Sequence, residues 1–363
     1  MKSKHTIIIN DARNLVDIKS ESVELIVTSP PYPMIEMWDE LFSILNPFIG
    51  YELKNKNGNN AFLLMHKELD KVWKECYRVL KPGCLACINI GDAVRTIDGE
   101  FRMYSNHAKI INSLYEIGFV QLPDILWRKQ TNAPNKFMGS GMLPSCAYVT
   151  YEHEYILIFR KGGKRKFIEQ NEKENRRKSA FYWEERNIWF SDVWTDLKGT
   201  SQQLCNKSAR DRSAAYPFEL PYRIICMHSI YGDTVLDPFV GTGTSMTAAI
   251  AAGRNSIGCD ISKELQQTIN DSIMSAIKIG RNKISERISR HVEFVDTRNK
   301  KGKKSKYFNN NDGLPTITAQ EIDLLMYAPT KINKTSDLTY EVYYDEATFN
   351  NSLQAEQLSL FVN

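Results

Sequence analysis

The stretch "TVLDPFVGTGTSMTAAIAAG" at 234–253 leaves this chain few folds to choose from. An apolar strand stops at Asp237, two glycines follow, and a helix of small residues begins at once. Gly241 and Gly243 let the backbone turn sharply and approach a ligand with no side chain in between. Asp237 then stands at the carboxyl end of a strand, where open α/β sheets bind their ligands. A dinucleotide fingerprint would carry a third glycine at the sixth position of the loop, and Met246 stands there instead. No glycine helps to seat a pyrophosphate, which favours a ligand with a cationic amino-acid end held by a carboxylate such as Asp237. The next strand, "NSIGCD", ends in Asp260, 260 − 237 = 23 residues on. That spacing suits a carboxylate accepting from both hydroxyls of a ribose. A tight turn with a surface aspartate is the bland alternative; it leaves the alignment of strand, loop, helix and second aspartate unexplained.

The remainder of the chain repeats this alternation. "HTIIIN", "VELIVTS", "CLACINI", "DILWRK" and "YEHEYILIFRK" have the composition of strands. "NNAFLLMHKELDKVWKECYRVL" carries apolar residues at helical spacing up to the stop "KPG", and "MYSNHAKIINSLYEIG" is amphipathic and closed by Gly118. The pattern predicts an α/β fold with a mostly parallel, doubly wound sheet. Between 162 and 210 charge rises, helical periodicity weakens, and Trp183, Trp189 and Trp194 are interleaved with Lys and Arg, as in an insertion rather than a continued sheet. The helix "YPFELPYRIICMHSI" resumes the pattern, and after about 280 the chain turns polar and irregular. The expected division is a catalytic domain from 1–161 and 211–280, an inserted region at 162–210, and a C-terminal extension of uncertain order at 281–363.

Composition narrows the setting. No apolar run reaches the ~18 residues of a membrane span, and the N-terminus lacks the apolar stretch of a signal peptide. A cytoplasmic location is therefore expected. Seven scattered cysteines suit a reducing compartment. Cys84 and Cys87 alone have metal-like spacing, but on a strand they would face opposite ways. None of the six histidines has ligand spacing, so no metal is expected. Net charge is only +4, yet "RKGGKRKF" (160–167), "NRRKS" (175–179) and "RNKKGKKSKY" (298–307) concentrate it. Such runs are either solvated surface or phosphate contacts.

A second motif, "VTSPPYP" at 27–33, ends the strand "VELIV" with residues that continue neither a ladder nor a helix. Together, "SPPY" and "DPFVGTG" resemble the catalytic and cofactor motifs of S-adenosylmethionine-dependent amino-methyltransferases of DNA. The likeness covers roughly 5–275, and "YPFELPYRII" resembles a third cofactor element of that family. The resemblance implies S-adenosyl-L-methionine as cofactor, bound through Asp237, Pro238, Phe239, Gly241, Gly243, Thr244 and Asp260, with Phe218 against its methionine part and Asp11 near its adenine. A plain helix-cap role for Asp11 is the alternative. Catalysis falls to Ser29, Pro30, Pro31 and Tyr32. Ser29 Oγ and the Pro30 carbonyl accept from an exocyclic amino group and draw its nitrogen toward a tetrahedral, nucleophilic state. The prolines fix where that carbonyl points. Tyr32 offers a stacking face to a base flipped out of duplex DNA, and Trp127 would line the same pocket unless it serves the core.

Motif order, catalytic first and cofactor loop last, is similar to the family's beta class. It implies a circularly permuted Rossmann-like sheet with target recognition in 162–210. Serine at the head of "SPPY" is associated within the family with cytosine N4, and Asp or Asn with adenine N6. The chain has no Pro-Cys pair of the kind ring-carbon methylation uses. The expected enzyme is thus a site-specific DNA (cytosine-N4)-methyltransferase, the modification half of a restriction–modification system whose endonuclease forms no stable complex with it. An adenine-N6 enzyme of the same fold stays open, as do an RNA or protein-glutamine methyltransferase and a catalytically silent, nucleic-acid-binding partner subunit. Oligomeric state and recognition sequence are not legible.

Overall fold

The computed structural model describes residues 1–129, 138–199 and 216–348. Its main sheet contains β1 (Lys2–Ile9), β2 (Val23–Thr28), β3 (Leu80–Ile90), β4 (Phe119–Gln121), β5 (Ile125–Arg128), β6 (His153–Lys161), β7 (Val193–Trp194), β8 (Thr234–Asp237), β9 (Asn255–Asp260), β10 (Met326–Ser336) and β11 (Thr339–Ala347). Across the sheet they lie in the order β7-β5-β6-β3-β2-β8-β9-β1-β11-β10, with β4 beside β6. The five central strands, β3 to β1, are parallel. Antiparallel strands extend both flanks, β6 next to β3 and β11 next to β1.

Burial explains the centre. All six residues of β2 are buried, as expected of a parallel strand covered on both faces. Ile26 faces one core, while Leu25 and Val27 face the other. Helices α1 (Asp39–Leu45), α2 (Pro47–Lys54), α3 (Gly58–Val79) and α4 (Asn106–Ile117) pack against the first face. In α3 the buried positions Ala61, Met65, Leu69, Val72, Cys76 and Val79 make one apolar stripe. Gly118 closes α4 with φ +107, the left-handed conformation that favours glycine. Cys84 belongs to the first core and Cys87 to the second, so the two thiols do face apart.

Two expectations are corrected. The first concerns 162–210, of which 162–199 are described. These residues form α5 (Gln170–Lys178), α6 (Trp183–Trp189) and the edge strand β7, which pairs parallel with β5. Trp189 and Trp194 are core residues, packed with α7 (Glu219–His228) and α8 (Thr244–Ala251). The basic block at 160–167 is in part tied into the fold. It begins at the end of β6, where Lys161 bonds the Tyr77 and Leu80 carbonyls and Arg165 pairs with Asp233 at 2.6 Å.

The second correction concerns 281–363. The helix α9 (Gln266–Lys300) runs straight through the expected boundary, and β10–β11 form a hairpin that adds two strands beside β1. The helix escaped notice because its buried stripe is partly charged. Lys283, Arg287 and His291 are buried and reach Glu219 at 2.7 Å, Glu185 at 2.7 Å and Glu184 at 2.8 Å. "NNND" is an ordered turn, with the buried Asn309 amide bonding the Glu321 and Leu324 carbonyls.

Arg287 also bonds the Tyr222 hydroxyl and lies over the Trp189 ring, so it joins α6, α7 and α9. Arg287→Met strands the Glu185 carboxylate in that interface. The expected loss is about 3 kcal/mol or more of unfolding free energy, measured by urea titration; a midpoint equal to the parent's would show that the pair holds nothing together.

His291 sits between two acceptors, the Glu184 carboxylate and the Pro315 carbonyl, and stacks on Tyr182 at 3.7 Å. Burial works against its charge, but the bonds to Glu184 and Pro315, with Glu321 nearby, outweigh burial and raise its pKa. The folded pKa lies above the unfolded one, so this stabilisation is complete below about pH 6.5 and is lost as pH rises through the folded pKa. Unfolding free energy should fall across that interval, and His291→Gln should flatten the fall; a slope unaltered by the substitution would count against it.

Candidate active site

The site forms where β2 and β8 end side by side. Thr28, the last residue of β2, donates through Oγ1 to Asp237 Oδ1 at 2.6 Å. Asp237 Oδ1 also accepts from Phe239 N at 3.0 Å, and Oδ2 accepts from Ser245 Oγ at 2.6 Å and the Tyr216 hydroxyl at 3.3 Å. A carboxylate has about four lone-pair sites, and the chain's own donors use all of them. Burial raises the Asp237 pKa to about 6, against these bonds, which lower it. Asp237 therefore fastens strand, loop and helix to one another, in addition to lining the cavity beside it.

The glycine loop takes the conformation its sequence announces. Gly243 has φ +89, and a Cβ there would stand 3.3 Å from Ile269 Cγ2 and Ser272 Cβ of α9. Gly241 donates its N–H to Asp260 Oδ2 at 3.0 Å, and Ser262 N–H reaches Oδ1 at 2.8 Å. Burial raises the Asp260 pKa, partly opposed by these backbone bonds. Asp11 follows β1 and is held by Arg13 at 2.6 Å, while Arg13 reaches Glu68 at 2.6 Å. Burial works to raise the Asp11 carboxyl, but the Arg13 bonds outweigh it and leave it below its ordinary value.

A cavity of about 300 Å³ unites these pieces. Ser29, Pro30, Pro31 and Tyr32 line it together with Asp11, Asp237, Pro238, Phe239, Gly241, Thr244 and Asp260. The two sequence motifs, some two hundred residues apart, thus share one space. Trp38, Leu41, Phe42 and Leu45 of the 36–45 segment add an apolar wall that the sequence reading missed. Gly243 sits behind the loop, outside the lining. Phe218 stacks on Tyr222 at 5.4 Å and packs against the second core, not on the cavity. Trp127 is fully buried in that core, its indole N–H on the Leu197 carbonyl at 3.0 Å.

Tyr32 is held by its hydroxyl. It donates to Glu154 Oε2 at 2.9 Å and accepts from Ser29 Oγ at 3.0 Å and Asn89 Nδ2 at 2.8 Å. Lys129 Nζ sits 2.8 Å from Glu154 Oε1. Gly91 makes room for the ring, since a Cβ there would approach Tyr32 Cε2 to 3.0 Å. Asn89 and Glu154 were not found from sequence. The available signal was a polar residue in each of two otherwise apolar strands, "CINI" and "EYILIF".

Comparison with known proteins agrees with this arrangement. A family model described as DNA methylase matches residues 23–271. The chain is 49% identical over 357 residues to Type II methyltransferase M.MthZI of Methanothermobacter thermautotrophicus, covering 98% of this chain and 99% of the relative. It is 51% identical over 282 residues to Type II methyltransferase M.MjaI of Methanocaldococcus jannaschii, covering 75% and 91%. Among solved structures it resembles a putative DNA modification methylase of Thermus thermophilus complexed with S-adenosyl-L-methionine. The TM-score is 0.57 and the identity 30%, over 75% of this chain and 95% of the other.

Asp237→Ala removes the acceptor of four donors, so it should weaken S-adenosyl-L-methionine binding strongly by calorimetry and also lower the melting temperature of the free protein. Wild-type affinity should likewise weaken as pH falls through about 6, where the carboxyl takes up a proton. An Asp237→Ala protein with both affinity and melting temperature intact would remove Asp237 from this role.

Proposed function

The chain belongs to the DNA methylase family that unites adenine-N6 and cytosine-N4 enzymes, and on that premise we propose that it methylates cytosine at N4 in duplex DNA. Its cofactor is S-adenosyl-L-methionine, which when bound supplies a methyl group on a sulfonium sulfur. The donor set along the cavity fits that molecule. Asp260 accepts two backbone N–H groups and keeps acceptor capacity for vicinal hydroxyls. The loop at 238–241 has no side chain at Gly241 to obstruct a ligand, and Asp11 supplies a further carboxylate.

The observation that carries the base assignment is Ser29, at the head of "SPPY" and on the wall shared with the cofactor loop. In this reading Ser29 Oγ and the Pro30 carbonyl accept from the amino group of a flipped base, and Tyr32 stacks on it. Positioning is the main source of rate, with direct transfer and no covalent intermediate. With Trp127 buried in the core, the stacking platform in this reading rests on Tyr32. We further propose that the enzyme is the modification partner of a restriction endonuclease, in keeping with the Type II names of its relatives. The part of 162–210 not committed to packing would read the target; residues 200–210 lie outside the described residues.

Mass spectrometry of nucleosides from product DNA tests the assignment. N4-methylcytosine is expected. N6-methyladenine as sole product would overturn the base and leave the amino-group mechanism, and 5-methylcytosine would overturn both. Ser29→Ala should retain cofactor and DNA affinity and lose turnover, since a contact made only in the transition state acts on kcat.

The basic run beyond α9 has a separate, distance-dependent role. Thr268 lines the cavity, and Lys300 lies on the same continuous helix. At about 1.5 Å per residue the run stands roughly 48 Å along the helix axis from Thr268, the length of about 14 base pairs. Lys300, Lys301, Lys303, Lys304 and Lys306 are exposed there. Neutralising them should lower affinity and reduce the salt slope on a 40-base-pair duplex, and do neither on one of about 12 base pairs. Equal effects at both lengths, or none, would refute the tether.

A further inference from the structure

We propose that Glu154 is a positioning residue that fixes the direction of the hydrogen-bond chain Ser29→Tyr32→Glu154, so that Ser29 meets the target amino group as an acceptor. The inference rests on the reading above that Ser29 Oγ accepts from that amino group, and holds for either base.

Direction follows from donor and acceptor counts. A carboxylate only accepts, and Glu154 Oε1 already faces the Lys129 ammonium at 2.8 Å. The Tyr32 hydroxyl, 2.9 Å from Oε2, must therefore spend its single proton on Glu154. Asn89 Nδ2 stands 2.8 Å from the Tyr32 oxygen and 2.6 Å from Glu154 Oε2. Its amide must present N–H to both, because its carbonyl oxygen would face a carboxylate. Tyr32 is left with acceptor capacity toward Ser29, whose Oγ lies 3.0 Å away. The Ser29 proton is thereby drawn to Tyr32, and the Ser29 lone pairs remain for a third partner. Burial first, and Glu154 second, push the Tyr32 phenol well above its ordinary pKa, which keeps it a donor.

Without this bias a serine hydroxyl facing an amino group has no preferred sense. Turned the other way it accepts from Tyr32 and points its proton at the nitrogen lone pair that must attack. Asn89 and Glu154 are 2% and 9% exposed, so bulk water does not readily substitute for them. The chain crosses three strands' ends, β2 through Ser29, β3 through Asn89 and β6 through Glu154, which is why no local motif contains it.

Two substitutions separate direction from support. Glu154→Gln is nearly isosteric but can present an N–H to Tyr32 and reverse the chain. Glu154→Met removes the acceptor and adds no donor. The expected order of kcat, measured as total methyl transfer from labelled cofactor to any base, is wild type, then Met, then Gln. The Gln variant should be slower than wild type by about tenfold or more. Dissociation constants for cofactor and duplex should change little. In a Tyr32→Phe background, which has no hydroxyl to orient, Glu154→Gln should cause no further loss. Gln faster than Met would mean that Glu154 merely supports the fold, and losses that multiply in the Tyr32→Phe background would break the chain at Tyr32. An error in the identity of the methylated base would show in the nucleoside analysis and leave this order untouched.

Discussion

The buried carboxylate of Asp237 is the joint on which the site depends. It receives a hydroxyl from β2, a backbone N–H from the glycine loop, a hydroxyl from the first turn of α8 and the phenol of Tyr216. Burying a carboxylate is costly unless its lone pairs are satisfied, and here each donor comes from a piece of chain the reaction needs in place. The satisfied charge sets the distance between the "SPPY" segment and the cofactor loop. It also explains why a strand ends in threonine directly before the serine and two prolines: Thr28 makes the last useful bond of β2, and Pro30 then turns the chain away from the ladder.

A second buried carboxylate, Glu154, does comparable work on the far side of Tyr32. Asp237 collects donors from β2, the loop and α8; Glu154 accepts from the Tyr32 hydroxyl, the Asn89 amide and the Lys129 ammonium, and in the proposal above it sets which way the Tyr32 hydroxyl points. Asp260 gathers Gly241 N–H and Ser262 N–H and holds the loop's outer edge. Asp237 and Asp260 line the cavity, which has an apolar wall from the 36–45 segment, while Glu154 lies behind Tyr32, outside the lining. Among the described residues no helix is long and apolar enough to cross a membrane.

Legibility in the sequence followed how local each signal was. The glycine loop, β2 and α3 were plain, because turn chemistry, continuous apolarity and a 3.6-residue stripe are written within short windows. The α/β class followed from their alternation. The charged inner stripe of α9 hid that helix, since Lys283, Arg287 and His291 become buried only when Glu219, Glu185 and Glu184 arrive from other elements. The hairpin of β10 and β11 was passed over although Tyr340, Val342 and Tyr344 alternate inward along it. Tryptophans interleaved with basic residues suggested a DNA-contacting region, but Trp189 and Trp194 are buried in the second core, and Glu184 and Glu185 beside Trp189 turn inward to His291 and Arg287. Of the site, the two motifs were found by residue type, whereas Asn89, Glu154 and Tyr216 needed the fold to bring them to Tyr32 and Asp237. Trp127 and Phe218 lie outside the cavity lining, and an aromatic in an apolar segment carries no sign of which face it takes.

The central claim is that one cavity holds the cofactor against Asp237 and Asp260 while presenting a flipped base to Ser29. A crystal structure of the protein with S-adenosylhomocysteine and a duplex carrying its target site tests this most directly. The account predicts a cytosine stacked on Tyr32 with its exocyclic nitrogen at hydrogen-bonding distance, about 2.7–3.2 Å, from Ser29 Oγ and the Pro30 carbonyl. A base held in another pocket, or an amino group whose acceptors are other residues, would contradict it.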